Sequence, residues 1–241
     1  MRNVTPDWLT FSATPEGRTT LAWEDEAFAR TAGRISGDRA VQLGLPVLDP
    51  FRKSLIGHQI LVTEDDVVLS EDDWRCPVTA DFNALPLKDE CADLVVWPHG
   101  ADTPAVDPEE TLQEISRVLA PSGVLVLTFF NASGGWNLKK RLLGRSVFPE
   151  GIVPQSAGAV KALVTHAGLT VEGGFYGVYG ATEGGKTGLL PSRLDLAGNR
   201  WWPTLSNVVL LTARKKVQGM TFVGRAAFAD NKVRAGALQH G

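Results

Sequence analysis

Two residues with hydrogen-bonding or proton-transferring side chains each follow a short apolar run of the sequence. Glu64 follows residues 59–63, and His99 follows residues 92–97 after a single proline. A carboxylate can accept hydrogen bonds from two adjacent hydroxyls, and an imidazole can act as a general base because its pKa lies near neutrality. If both runs are strands of one parallel sheet, these side chains lie at the same edge, where ligands bind. Glu64 is then a candidate ribose ligand, and His99 is a candidate catalytic base or a polar residue that lines the pocket.

A polar, glycine-rich loop follows a third apolar run at residues 124–130. Its first residue, Asn131, is the best-placed amide for contact with a substrate, and Trp136 is a candidate wall or lid of the substrate site. The next segment, residues 138–143, is basic and has a helical pattern. It could attract an acidic substrate or form an ordinary solvated helix face, and base rates favour the solvated face.

A strand–helix–strand unit positions these candidates. Residues 107–119 predict a helix, since Asp107 is a suitable N-cap, Pro108 occupies the first helical position, and apolar residues recur on one face. The flanking runs at 92–97 and 124–130 are rich in apolar residues, which is typical of strands buried on both faces. A strand, a crossover helix and a second strand form a βαβ unit, so the sequence predicts an α/β fold with parallel strands.

The first strand is predicted at residues 40–44, and Gly44 would begin a tight turn at its end. A glycine lets the backbone pass close to a ligand, because it has no Cβ and tolerates a positive φ. Glu64 stands about 20 residues further on, the spacing at which doubly wound folds bind ribose hydroxyls. Three consecutive acids at residues 64–66 are also typical of a solvated loop, so both interpretations stay open. An N-cap and first-position proline pair predicts a short crossover helix over residues 49–56.

A longer pattern runs from residue 81 to residue 123. It consists of Asp81, Leu85-Pro86-Leu87, Asp93-Leu94-Val95-Val96, His99, Glu114, Arg117-Val118-Leu119 and Pro121-Ser122-Gly123. This pattern resembles the class I S-adenosylmethionine-dependent methyltransferases, and most closely their small-molecule type. The resemblance implies a Rossmann-like doubly wound α/β fold, with a mostly parallel seven-stranded sheet, an antiparallel edge strand and three α/β/α layers. It places the sixth strand at residues 169–178 and the antiparallel edge strand at residues 207–213.

The resemblance also implies S-adenosylmethionine as the cofactor. Asp81 would accept a hydrogen bond from the adenine amino group, and Phe82 would pack on the adenine ring. Asp81 is also consistent with a turn-forming residue before Asn83. The cofactor-binding residues that the resemblance implies are Gly44, Glu64, Asp81, Phe82, Trp97 and His99.

Two functions are consistent with this pattern. The first is methyl transfer from S-adenosylmethionine to an unidentified small-molecule acceptor. The second is a methyltransferase-like protein that does not catalyse and serves as a binding or regulatory partner. The family has further small residues after its first turn glycine, where this chain has Leu45 and Pro46. These side chains in the methionine site would favour the second function, whereas contact of Glu64 and Asp81 with the cofactor would favour the first.

Composition limits the classes of function. A net charge of −3 and a pI near 5.8 disfavour a nucleic-acid partner. Two cysteines are too few for a disulfide scaffold or a zinc site, which favours a reducing compartment such as the cytoplasm and predicts no metal. The N-terminus lacks the apolar core of a signal peptide and the sequence has no apolar run of about 18 residues, so neither secretion nor a membrane partner is expected.

The chain is expected to have three segments. Residues 1–38 would form an N-terminal cap segment, residues 39–215 the methyltransferase-like domain, and residues 216–241 a flexible basic tail that could contact a protein partner. The cap contains a predicted helix at residues 21–32, which would cover the cofactor or substrate site, or only the sheet. A polar loop at residues 180–200 is long enough to take part in substrate recognition.

Overall fold

The computed structural model describes residues 7–144, 146–179 and 205–216. The predicted loop at residues 180–200 lies outside the described residues, as does the predicted tail apart from Lys216. The strands are β1 (Arg39–Leu43), β2 (His58–Thr63), β3 (Cys76–Thr79), β4 (Ala92–Pro98), β5 (Leu119–Phe130), β6 (Leu169–Gly177) and β7 (Val208–Lys215). The helices are α1 (Trp8–Ala13), α2 (Pro15–Ala32), α3 (Pro108–Val118), α4 (Gly135–Leu143) and α5 (Ala157–His166), with a 3₁₀ turn at Gly100–Asp102.

All seven strands form one sheet in the order β3-β2-β1-β4-β5-β7-β6. The strands β1 to β5 run parallel to their neighbours in this order, and β7 is antiparallel to both β5 and β6. The strand order reverses between β1 and β4, and folds of this kind bind ligands at that point. The predicted doubly wound, mostly parallel sheet is therefore confirmed.

The position of the antiparallel strand differs from the prediction. Strand β7 is antiparallel as predicted, but it lies between β5 and β6 and pairs with both, so it is not the edge strand. Residues 208–211 of β7 are buried, whereas residues 172–175 of β6 are exposed. The continuous apolar run of β7 suits a strand that is covered on both faces, whereas β6 forms the edge of the sheet.

Helices cover both faces of the sheet, as the three-layer prediction requires. On one face, Leu112 and Ile115 of α3 and Val160 of α5 join the core beneath the strands. On the other face, Ala27 and Phe28 of α2 pack against alternate residues of the same strands. Within the ranges that the structure describes, no helix is both long and apolar enough to cross a membrane.

The predicted helix at residues 49–56 is wrong. These residues form turns, in which Asp49 Oδ1 accepts a hydrogen bond from the Phe51 amide at 3.1 Å. Phe51 and Ile56 are buried against α2. The N-terminal helix α2 therefore covers this face, and the short link between β1 and β2 supplies its packing partners. The predicted helix at residues 21–32 is confirmed and extended, since α2 begins at Pro15, after Thr14 accepts a hydrogen bond from the Gly17 amide at 3.0 Å.

Candidate functional site

The structure brings the predicted cofactor acids to one edge of the sheet. Glu64 follows β2 directly, and Asp81 comes two residues after β3. Partial burial raises the pKa of the Glu64 carboxyl, and the nearby negative charges of Asp81 and Asp65 raise that pKa further. Glu64 and Asp81 are thus close enough to interact electrostatically. Asp81 Oδ1 also accepts a hydrogen bond from the Asn83 amide at 2.8 Å, so Asp81 forms the turn that its alternative interpretation predicted.

Phe82 and Gly44 lie against each other beside these acids. A Cβ built on Gly44 would stand 3.4 Å from Phe82 Cζ, and the phenyl ring is only 7% exposed. Gly44 has a φ of +71°, a conformation that glycine adopts without steric cost. Its amide continues the sheet by donating to the Val62 carbonyl at 2.8 Å. The turn after β1 therefore keeps its one matched glycine, and that glycine faces Phe82.

Leu45, one of the two residues that depart from the family pattern, points away from Phe82. Its side chain is buried in the core on the α2 side, together with Leu48, whereas Phe82 belongs to the core on the opposite face. Leu45 has a φ of +47°, which is unusual for a residue with a Cβ. The turn thus accommodates a bulky side chain by directing it into the core, and Gly44 is the residue that faces Phe82.

The side chain of a buried glutamine forms hydrogen bonds with the backbone of this turn. Gln42 in β1 is fully buried. Its amide nitrogen donates to the carbonyls of Gly44, Leu45 and Leu48 at 3.0, 2.9 and 3.3 Å. One side chain therefore donates to three carbonyls of this turn, which helps to satisfy its backbone hydrogen bonds.

A buried arginine completes this support. Arg75 is 6% exposed, and its guanidinium donates to Gln42 Oε1 at 2.6 Å and to the carbonyls of Pro46 and Leu48 at 3.0 and 2.5 Å. Asp73 neutralises it, since the Arg75 guanidinium holds the pKa of the Asp73 carboxyl below its usual value. The sequence analysis missed Arg75. The signal that could have indicated such a partner is Gln42 itself, a polar residue inside an otherwise apolar strand.

His99 lies at the end of β4, at the point where the strand order reverses. Its Nδ1 is 3.0 Å from Asp102 Oδ2, and its Nε2 is 2.8 Å from Glu24 Oε1 on α2. The Glu24 contact has ion-pair distance but not the alignment of a hydrogen bond. Asp102 Oδ2 also accepts a hydrogen bond from the Phe130 amide at 2.6 Å. All three ionisable side chains are essentially inaccessible to solvent.

The two carboxylates keep His99 charged. Burial alone lowers the pKa of His99, but the charges of Glu24 and Asp102 outweigh it and raise the pKa to about 10. Burial raises the pKa of Asp102, and the positive charge of His99 opposes that rise. A protonated imidazole with a carboxylate at each nitrogen has no lone pair to accept a proton. In this conformation His99 acts as an ionic link between α2 and the 3₁₀ turn, and its predicted role as a general base stays a prediction.

Aromatic rings from α1 and β5 pack against His99. The Trp8 ring lies 4.7 Å from the imidazole and the Phe130 ring 4.3 Å from it, centroid to centroid. Trp136 and Phe148 continue this cluster, with centroids 6.3 and 5.1 Å from Phe130. Helix α1 therefore closes the edge of the sheet near the ends of β4 and β5.

The remaining predicted site residues are also buried. Trp97 is 1% exposed and packs in the core on the α3 side. Asn131 holds two chain segments together, because its amide nitrogen donates to the Ser206 carbonyl at 2.9 Å and its Oδ1 accepts from the Ser133 amide at 3.1 Å. The Trp136 amide donates to Asn207 Oδ1 at 2.7 Å. Roles of these residues toward a ligand stay predictions.

The site therefore has two parts, one more open and one closed. In the open part, Glu64 and Asp81 are exposed at the ends of β2 and β3, and Gly44 and Phe82 complete it. The closed part centres on His99 and includes Glu24, which the sequence analysis also missed. Its signal was helical spacing, since Glu24 stands three and four residues before the apolar pair Ala27-Phe28 and so shares their buried face.

Comparisons with known proteins agree with this architecture. Residues 62–127 match the protein family described as the methyltransferase domain. No curated protein sequence matches the chain. Among solved structures, a chain from the complex of the Haloferax volcanii Trm112 methyltransferase activator with a methyltransferase has 18% identity and a TM-score of 0.60, covering 89% of this chain and 100% of that one.

Two further solved structures show the same fold. A methyltransferase of Thermotoga maritima that depends on S-adenosylmethionine has 18% identity and a TM-score of 0.54, covering 82% of this chain and 92% of that one. The geranyl diphosphate C-methyltransferase of Streptomyces coelicolor, solved with S-adenosyl-L-homocysteine, has 15% identity and a TM-score of 0.50, covering 80% and 77%. The chain thus has the class I S-adenosylmethionine-dependent methyltransferase fold, and its residues 62–127 match the methyltransferase-domain family.

Proposed function

We propose that this protein binds S-adenosylmethionine and transfers its methyl group to a small-molecule acceptor. The observation that carries the proposal is the placement of two acids, Glu64 and Asp81, at the ends of the neighbouring parallel strands β2 and β3, next to Gly44 at the end of β1. The family match over residues 62–127 includes both acids. A neighbour of the same fold was solved with S-adenosyl-L-homocysteine, the product that remains when this cofactor loses its methyl group.

The residues present suit the parts of this cofactor. Glu64 would accept hydrogen bonds from both ribose hydroxyls, and Asp81 would accept one from the adenine amino group. Phe82 offers an apolar ring edge for adenine, and Gly44 leaves room for the methionine part. The cofactor supplies an electrophilic methyl group on its sulfonium, so the protein needs mainly to position the acceptor in line and exclude water.

The acceptor side of the proposed site lies at the ends of β4 and β5. His99, Asn131 and Trp136 would contact the acceptor there, under the aromatic cover that includes Trp8. A cover formed by helices of the same chain favours a small acceptor over a polymer. Both cysteines of the chain are free thiols, which favours a reducing compartment such as the cytoplasm.

Calorimetric titration tests the proposal. The full chain is titrated with S-adenosylmethionine and with S-adenosylhomocysteine, beside the variant Asp81→Asn. The asparagine oxygen can still accept a hydrogen bond from the Asn83 amide, so the turn is kept. The asparagine NH₂ group is a donor, however, and cannot accept a hydrogen bond from the adenine amino group. We expect micromolar binding to the wild type, a loss of about 1–3 kcal/mol in the variant, and equal melting temperatures. Equal affinities would remove Asp81 from the site, and a wild type that gives no heat at millimolar ligand would refute the proposal.

A second candidate function is a non-catalytic binding or regulatory partner. Two observations favour it: His99 is closed off beneath Trp8, and the link after β1 lacks the predicted helix. The Haloferax neighbour was solved with a protein activator, which makes a protein partner a reasonable expectation for this fold. The predicted contact through the C-terminal tail falls on residues outside the described ones. Failure to bind the cofactor in the titration above would favour this candidate.

A further inference from the structure

Helix α4 presents leucines to solvent. Leu138 and Leu142 are 52% and 74% exposed, and we call these two side chains the α4 leucine surface. Leu138 and Leu142 are four residues apart, so they lie one above the other on the same face of the helix. Exposed leucines scattered singly are common on soluble proteins, but these two form one patch on a nine-residue helix.

The helix is fixed in this orientation. Its opposite side carries Trp136, which is 6% exposed within the aromatic cluster. The Asn137 side chain donates to the Ala132 carbonyl at 2.7 Å, which fixes the first turn. The last turn ends at Gly144, whose φ is +69° and whose amide donates to the Lys140 carbonyl at 2.9 Å. A rotation that buried the leucines would expose Trp136, so the leucine surface can be covered only by another molecule or segment.

Cations flank the leucines. Helix α4 contains Lys139, Lys140 and Arg141 and no acidic residue. Successive residues are about 100° apart around a helix, so Lys139 and Arg141 lie on opposite sides of the face that carries Leu138. Both are exposed. Lys140 is closer to the protein, with its ammonium 5.9 Å from the centroid of the Phe148 ring.

We propose that the α4 leucine surface docks on an anionic lipid bilayer, with the helix lying in the plane of the interface. An interfacial helix needs an apolar face that enters the acyl boundary and basic side chains that reach the anionic headgroups. The long stems of Lys139 and Arg141 allow their charges to remain at headgroup level while the leucines lie deeper. A nucleic acid would neutralise the cations but would leave the leucines in water.

Docking of this kind has a consequence for the position of the candidate site. Helix α4 starts a few residues after the end of β5, beside Asn131, and so lies on the acceptor side of the fold. A bilayer bound there would be adjacent to the edge that Trp136 and His99 occupy. The proposal concerns the surface of the helix and does not depend on the proposed methyl transfer.

Vesicle flotation with the full chain tests the proposal. The vesicles contain phosphatidylcholine alone or phosphatidylcholine with phosphatidylserine, at low and at high salt. The variants are Leu138→Gln with Leu142→Gln, and Lys139→Gln with Arg141→Gln. The matched control is Val68→Gln, because Val68 is 98% exposed and lies in the link between β2 and β3. All the changed side chains are exposed, so circular dichroism should show unchanged folding.

We expect wild type and Val68→Gln to bind the anionic vesicles alike and to bind phosphatidylcholine weakly. The leucine double variant should lose affinity by on the order of tenfold or more, because two apolar side chains no longer enter the lipid. The cation double variant should lose the preference for anionic vesicles and the salt dependence. Absence of vesicle binding, or full binding by the leucine double variant, would overturn the proposal. It would also be overturned if the wild type bound no vesicles but self-associated through the leucines in size-exclusion chromatography.

Discussion

The substitution Glu24→Gln tests whether the ionic link at His99 holds the N-terminal helix on the sheet. Glutamine keeps the shape of the side chain but removes the carboxylate that faces His99 Nε2 at 2.8 Å. Both side chains are fully buried, so water does not screen their interaction. The substitution creates no cavity, and its effect therefore reports the charge rather than the packing.

The structure sets the size and the pH dependence of the effect. Removing one partner of a buried ion pair costs about 3–5 kcal/mol. We expect about 3 kcal/mol, the lower end, because Asp102 still pairs with His99 and because the Glu24 charge contributes to raising the pKa of Asp102. The pKa of His99 rises from 6.5 to about 10 in the folded protein. The stabilisation is therefore complete below the unfolded pKa and is lost as the pH rises through about 10.

Urea unfolding measures this effect as the difference in the free energy of unfolding between the wild type and Glu24→Gln. The difference is measured at about pH 6, where the stabilisation is present, and at about pH 10, where it is lost. The matched control is Glu26→Gln on the same helix, whose carboxylate pairs with Arg52 and Lys53 at the surface. The control should cost about 1 kcal/mol or less, since exposed ion pairs contribute little. If Glu24→Gln destabilises no more than the control, or if its effect is the same at both pH values, the buried ionic link is not what holds α2.

Two further substitutions test the support of the turn and the packing beneath His99. Arg75→Ala removes the donor of Gln42 Oε1 and of the Pro46 carbonyl, so we expect a loss of about 2–4 kcal/mol in urea unfolding and weaker cofactor binding, whereas the surface variant Arg52→Ala should cost about 1 kcal/mol or less. Gly100→Ala places a Cβ 1.9 Å from the Trp97 indole and should lower the melting temperature, whereas Gly57→Ala, with no atom within 4 Å of its Cβ position, should not. A tolerated Arg75→Ala or Gly100→Ala would contradict the respective packing.

Much of the sheet could be predicted because its strands carry a strong local signal. The runs at residues 92–97 and 124–130 are continuous and apolar, and they became β4 and β5. The helix between them was predictable from its caps, since Asp107 Oδ1 accepts from the Glu109 amide at 2.9 Å. Capping and burial on both faces are properties of neighbouring residues, so a single sequence reveals them.

The failures have a different physical origin. The turns at residues 49–56 contain a good N-cap signal, but packing of Phe51 against α2 outweighs that local preference. The edge position expected for β7 failed because strand order is set by long-range pairing. Glu24 and Arg75 were missed because each acts on residues far from it in the sequence: Glu24 on His99, and Arg75 on the turn after β1.

Helix α2 connects the two parts of the candidate site. Its apolar residue Phe28 packs in the same core cluster as Leu45, the turn residue that departs from the family pattern. One helical turn before Phe28, Glu24 forms an ion pair with His99 at the end of β4. The turn that contains Leu45 follows β1, on the other side of the strand-order reversal. The short link after β1 would leave this face of the sheet uncovered, so α2 replaces the helix that the sequence pattern predicted there. In place of a helix, the link forms turns, and the carbonyls of Leu45 and Leu48 accept hydrogen bonds from Gln42. The unusual turn and the buried ionic link are therefore two consequences of covering the sheet with an N-terminal helix.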